Sequence, residues 1–536
     1  MIESGPYWLG HSAAEKERQG FGQQFFEPNE IASLLSDDIM IISGSKGSGK
    51  TAIRQGIEQL HRDQYSALAA IELDSMTFSQ SFSEIEQIYR STKLSPDEIA
   101  RNVWKHVFVV YALKALYTAP HADEPLKRAI ARIGATDGGA VMSVPNHELF
   151  NTWLEKLWMV ITTTKDVDAR VLPAAGLSPR QLAAARTFPI TEDFRNDVEP
   201  IFQLIAARGK PIMIMVDGLD SVTSIALEAD PSQLSEAKDC LFAGMFDAAY
   251  KLISEPLLAG MIRFKLLVPQ ERADAVYRLR DVDKVKPTFS TISWSPTTLQ
   301  EFVRRRLIRL NGGIVHKPRF EDVWHQVMPE SVSSENQAID ERSFPYILRN
   351  TLFRPRQVLE HLNRLFKAWH QRRGRSRVDP SFIPNCVAET NRELCEFLVS
   401  ELREDIPAIE DFLKSLSGSP DIIAFGELSE RVTRLLGANT QEKQDRALCL
   451  LYNAGLFGLS ERCGLHYCRD ELTPLSTNRS HSVQTEKEQF VFTFRTGRPE
   501  RKLYFRMNHQ QDCPIAFAPM LRQYCSLTPA RKYVLI

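Results

Sequence analysis

The chain has 536 residues, with 66 Lys plus Arg against 67 Asp plus Glu and a formal net charge of −1. That length implies several domains of about 150 residues each, and 43% apolar content excludes a wholly disordered chain. The balance excludes a uniformly basic coat or a polyacidic tail, but not a local basic patch. Eight cysteines are too few for a disulfide scaffold. No apolar run reaches the roughly 18 residues of a membrane span. The N-terminal stretch MIESGPYWLGHSAAEKERQ lacks a basic segment followed by a long apolar one, so no secretory leader is expected.

In chain order, the run DIMIIS at 38–43 stops at glycines and predicts a buried strand, and TAIRQGIEQLHRD after it predicts a helix. Between them lies Gly44-Ser45-Lys46-Gly47-Ser48-Gly49-Lys50-Thr51, which fits G-x-x-x-x-G-K-[ST] at every position. Glycines there let backbone N–H groups turn inward around phosphates, and the helix N-terminus adds partial positive charge. In such a loop Lys50 neutralises the β- and γ-phosphates and the Thr51 hydroxyl holds Mg²⁺. Residues 67–73 predict a second strand. The stretch 77–205, with apolar residues at helical spacing including Ile99, Val103, Trp104 and Val107, predicts a helical insertion.

The next strong strand is PIMIMVD at 211–217. Asp217 emerges at its end, where a Mg²⁺-coordinating carboxylate belongs. Asp220 lies three residues on, either to orient an attacking water or to cap a helix. Runs at 262–268 and 288–292 predict further strands. Strands separated by helices imply a parallel sheet with helices on both faces, an α/β fold.

The two motifs together resemble the additional-strand P-loop ATPases, in particular their AAA+ and STAND branches, over about residues 20–370. In place of the Asp-Glu pair that ends the STAND pattern, this chain has Asp220-Ser221. The resemblance implies ATP and Mg²⁺ as ligands and a strand inserted between the two motif-bearing strands, for which 262–268 is the candidate. It also implies a polar sensor after that strand (Gln270 or Arg272), and aromatic residues before the first strand (Phe21, Phe25 or Phe26) against adenine. It implies a helical lid whose Arg reports the γ-phosphate; Arg354-Pro355-Arg356 opens such a helix, so Arg354 and Arg356 are the candidates. Arg263, Arg272, Arg278 and Arg280 lie where a neighbouring subunit would supply a finger.

From about 296 the chain turns helix-rich, with helices expected at 297–311, 344–353 and 355–369. The basic stretch HQRRGRSRVDPSF at 370–382 marks a boundary. The expected division is a core at 1–295, a lid at 296–370, a linker at 371–387 and a final domain at 388–536. In that last domain, helices near 388–415 and 425–457 lead through LCLLYNAGLFGL, which stops at Gly455, into a strand. A hairpin predicted at 489–507 carries Arg495, Arg498, Arg501, Lys502 and Arg506. This resembles a winged helix, as in origin-recognition-type AAA+ proteins, with the hairpin as wing. Cys463, His466 and Cys468 sit close together, and His509 and Cys513 form a second small group; together they could build a zinc site across the hairpin, but the spacing matches no standard knuckle and free core cysteines are commoner.

The resulting expectation is an ATP-binding and ATP-hydrolysing switch that controls its own oligomerisation or a separately encoded effector. The resemblance extends to poorly characterised bacterial anti-phage defence ATPases. The alternative is a nucleotide-regulated DNA-binding protein similar to origin or transposition regulators. No membrane partner is expected.

Overall fold

In the computed structural model the described residues are 9–11, 33–36, 38–72, 96–120, 122–136, 200–207, 209–218, 231–256, 258–270, 273, 279, 282–310, 318–332, 341–373, 377–403, 406–438, 440–460, 490–491 and 512–528. They divide into two compact units. One spans Phe21–Ile292; the other joins Met1–Gly20 to Ser293–Ile536.

The first unit is α/β. Its strands are β1 (Ile41–Gly44), β2 (Ala67–Glu72), β3 (Ile212–Asp217), β4 (Ile262–Pro269) and β5 (Phe289–Thr291), in the spatial order β2-β3-β4-β1-β5 and parallel throughout. All six residues of β3 are buried. That is why IMIMVD reads as a continuous apolar run and not an alternating one: a central parallel strand is covered on both faces. The predicted inserted strand is β4, which lies between β1 and β3 with Ile41 opposite Leu266 and Ile214 opposite Phe264.

The longer helices described in this unit are α1 (Lys50–Leu60), α2 (Pro96–Thr118), α3 (Glu124–Thr136) and α4 (Pro231–Ser254). Helix α2 falls in the stretch expected as an insertion, yet its buried face belongs to the core. Trp104 stacks near Phe108 at 5.3 Å, and Phe108 meets Phe264 of β4 at 4.8 Å. It cannot be a detached element, because that face shares one apolar cluster with β2, β3 and β4. Helix α4 packs on α2 so closely that a Cβ on Gly244 would lie 2.5 Å from Ala100 Cβ. Most of the rest of 77–205, including 137–199, lies outside the described residues.

The second unit begins with α5 (Pro296–Leu310), α6 (Phe320–Val327), a two-stranded ribbon β6 (Ser331–Val332) and β7 (Glu341–Arg342), α7 (Ser343–Arg349) and α8 (Pro355–Arg373). Residues 9 and 10 are part of it. Leu9 N–H donates to Asn363 Oδ1 at 2.9 Å, Asn363 Nδ2 donates to Gly10 O at 2.9 Å, and Arg306 donates to Leu9 O at 2.5 Å. Leu9 and Gly10 therefore side with the later helices, whereas the expected division put them in the core at 1–295.

The expected linker 371–387 is mostly helix. Eight residues separate the end of α8 at Arg373 from the start of α9 (Phe382–Leu402). Trp369 and Arg372 of α8 lie 5.3 and 5.1 Å from the Phe382 ring. Arg377 donates to Met328 O at 2.8 Å, so these basic side chains are partly consumed by packing.

The chain continues through α10 (Ile409–Lys414), β8 (Ile422–Ala424), α11 (Phe425–Leu435), α12 (Gln441–Asn453), β9 (Phe457–Ser460), β10 (Phe490–Val491), β11 (Pro514–Phe517) and α13 (Leu521–Tyr524). Thr440 caps α12 by accepting the Lys443 N–H at 3.3 Å. Gly455, at φ 83°, ends the helix and turns the chain into β9. The four strands form an antiparallel sheet in the order β10-β9-β11-β8. Of the predicted hairpin only Phe490–Val491 is described; Arg495, Arg498, Arg501, Lys502 and Arg506 lie outside the described residues. Among the described residues no helix is long and apolar enough to cross a membrane.

Candidate functional site

The C-terminal ends of the parallel strands bring the two motifs together. Gly44 closes β1 and pairs with Pro269 of β4, and Asp217 closes β3 opposite Glu72 of β2. Between β1 and α1 the loop turns on glycines because its backbone demands them. Gly47 has φ 80° and Gly49, at the N-cap of α1, has φ 107°. Side chains rarely adopt those angles. A Cβ on Gly44 would collide with the Ser48 hydroxyl and come within 3.2 Å of Ile292.

Lys50, 5% exposed, folds back over this loop and donates to Gly44 O at 2.7 Å and Ser45 O at 3.3 Å. Its ammonium is thus held over the cradle by carbonyls that a phosphate oxygen can replace. Asp217 is 5% exposed. Its Oδ1 accepts the Gly218 N–H at 2.9 Å and its Oδ2 accepts Arg54 Nε at 3.1 Å. Burial pushes the Asp217 carboxyl above its usual range, opposed by the Gly218 N–H, the Arg54 charge, a hydrogen bond from the Thr51 side chain and the Lys50 charge.

The residues present fit the groups the motif implies. Gly44, Ser45, Lys46, Gly47, Ser48 and Gly49 form a cradle in which a Cβ at Gly44 has no room. The Thr51 hydroxyl and the Asp217 carboxylate, two hard oxygen donors, meet at its edge as a Mg²⁺ site requires.

Arg54 was not anticipated from the sequence. It lies one turn after Lys50 on α1, on the same face. It pairs with Glu58 at 2.8 Å as well as with Asp217. The i, i+4 spacing from Lys50 was the one available signal.

Asp220, Arg272, Arg278, Arg280, Phe21, Phe25 and Phe26 lie outside the described residues. Gln270 directly follows β4 and so stands next in line to the pair formed by Pro269 and Gly44. Arg263 sits at the opposite, N-terminal end of β4. In the second unit the two arginines expected to serve a lid differ. The Arg354 residue is 7% exposed and its guanidinium lies 3.6 Å from Glu401 of α9, so packing within that unit takes up its charge. Arg356 keeps 42% of its side chain exposed and pairs with Glu360 one turn along α8 at 3.2 Å.

Among the described residues no group of three or more His, Cys, Asp or Glu side chains could hold a metal. Cys513 is buried, while Cys463, His466, Cys468 and His509 lie outside the described residues.

No family model matches the chain, and no curated protein matches it. Among solved structures it is similar to the Aeropyrum pernix ORC2 protein in its ADPNP–ADP complexes, at 13% identity over 81% of this chain and 84% of that one, with a TM-score of 0.25. The shared path is slight, and the site stands on its own geometry.

Proposed function

We propose that the protein is an ATP-binding, ATP-hydrolysing switch. The observation that carries this is the convergence of Thr51 and Asp217 at the edge of the glycine cradle, on two strands separated in the sheet by β4. When bound, Mg²⁺ neutralises the β- and γ-phosphates and polarises the bond to be broken. The chain's own residues do the rest. The loop N–H groups from Gly44 to Lys50 hold phosphate oxygens, and Lys50 exchanges its two carbonyl partners for them. Thr51 and Asp217 hold the metal. Asp220 orients the attacking water and accepts its proton. Arg356, the more exposed lid arginine, reports the γ-phosphate to the lid helices.

The adenine preference rests on the resemblance to AAA+ and STAND ATPases, as does a setting in bacterial defence. The product of the cycle is a shift between lid conformations that controls oligomerisation or a partner effector.

The C-terminal module is read as a winged helix because α10, β8, α11, α12, β9, β10 and β11 follow in the order helix, strand, helix, helix, strand, strand, strand. Protein is favoured over DNA as its ligand because the chain carries a formal net charge of −1 and no basic excess.

The test is nucleotide binding and turnover in three variants. Lys50→Ala should lose ATP binding. Thr51→Ala should lose the Mg²⁺ dependence of that binding. Asp220→Asn should bind normally and turn over on the order of 10²-fold more slowly. Normal affinity in Lys50→Ala defeats the site assignment, and unchanged turnover in Asp220→Asn reduces that residue to a helix cap.

A further inference from the structure

Arg54 is a buried charged group beside Asp217 that the catalytic scheme above does not use. Its guanidinium is buried, 7% exposed for the residue. It spans two carboxylates, Asp217 at 3.1 Å and Glu58 at 2.8 Å. It thus places a fixed positive charge against the same carboxylate that Thr51 contacts. A guanidinium and a dication held against one buried carboxylate repel each other, so each weakens the other's hold on it.

We propose that Arg54 is a positioning residue that competes with the divalent cation for Asp217. Without nucleotide it holds the carboxylate oriented and neutralised, so that the metal alone binds weakly. The triphosphate supplies the extra negative charge that makes metal binding favourable, and Arg54 then relaxes toward Glu58, its second partner one helical turn away. The site is therefore closed to free metal and opens to metal only with nucleotide, a coupling that is reciprocal by thermodynamic necessity. This rests on the reading of Asp217 as a metal-holding residue.

The test measures the Mg²⁺ concentration giving half-maximal binding of a fluorescent ATP analogue, the affinity of the same analogue in EDTA, and the binding of Mn²⁺ alone by electron paramagnetic resonance. In Arg54→Gln the Mg²⁺ midpoint should fall at least about fivefold and Mn²⁺ alone should bind measurably, with affinity in EDTA changed less than about twofold. Arg54→Lys, which keeps the charge, should move the midpoint less. Glu58→Gln, which leaves Asp217 as the only carboxylate of the pair, should raise the midpoint, and it keeps the question open to test if Arg54→Gln does not fold. A midpoint unchanged or raised in Arg54→Gln, or unchanged in Glu58→Gln, overturns the competition. A wild-type protein that binds the analogue in neither Mg²⁺ nor EDTA overturns the nucleotide reading itself, and the role of Arg54 with it.

Discussion

At the residue scale, two buried titratable groups dominate. Asp217 carries a raised pKa because burial outweighs four favourable partners. A carboxyl whose folded pKa lies above its unfolded value contributes stability at low pH that is lost as pH rises through the folded value. Asp217→Asn should abolish Mg²⁺-dependent nucleotide binding, read as loss of the rise in melting temperature that Mg²⁺ and ATP together give the wild type.

His361 behaves oppositely. It is 2% exposed, its Nε2 faces Asn350 O at 3.3 Å, and burial lowers its pKa from 6.5 to about 4. Above pH 6.5 both states are neutral and nothing is lost. As pH falls from 6.5 to 4 the unfolded chain takes up a proton that the folded one refuses, so stability drops by up to about 3 kcal/mol. His361→Gln should flatten the fall in melting temperature over that window. An equally steep fall would show that other groups set the acid limit.

At the scale of elements, the parallel strands were legible because a doubly covered strand must be apolar along its whole length. The run 211–217 shows this directly, whereas 262–268 is interrupted by Arg263 and by Lys265, whose buried ammonium donates to the Leu34, Ser36 and Ile39 carbonyls. The place of α2 was not legible. Helical periodicity says that one face is buried, but not against what. Gly244 decides the matter sterically, since α4 can approach α2 only where no side chain stands between them. Gly244→Ala should force the helices apart and cost about 1–3 kcal/mol, as overpacking does, which a denaturant titration would read.

The lid helix shows the same division. Arg354 and Arg356 are equivalent in the sequence pattern, yet only the folded unit puts Arg354 against Glu401 and leaves Arg356 half exposed. Just before them Phe353 holds φ 52° with its ring buried. That is a left-handed conformation that a bulky residue takes only when its surroundings impose it.

At the scale of the whole molecule, the chain starts in one unit and returns to it after building the sheet. The Asn363 amide clasps both Leu9 and Gly10. Asn363→Ala removes one buried and one part-buried hydrogen bond and should cost about 2 kcal/mol, read as a lower melting temperature with nucleotide affinity unchanged. A switch of this kind should also form ATP-dependent oligomers whose mass, measured with and without ATP, is insensitive to salt. ATP hydrolysis that requires DNA, with an affinity falling steeply in salt, would favour the DNA-binding alternative instead.

The sequence by itself determined the glycine loop, its lysine and threonine, the carboxylate at the end of β3 and the α/β class. Each of these is written in a local pattern: a backbone angle only glycine tolerates, an apolar run only a buried parallel strand needs. Tertiary structure alone decided that Arg54 meets Asp217 across 163 residues of separation, that α2 is a core layer, that residues 9 and 10 clip onto α8, and which lid arginine stays accessible. Those outcomes depend on which surfaces compete for the same buried space. Local periodicity states only that a surface is buried, not which surface meets it.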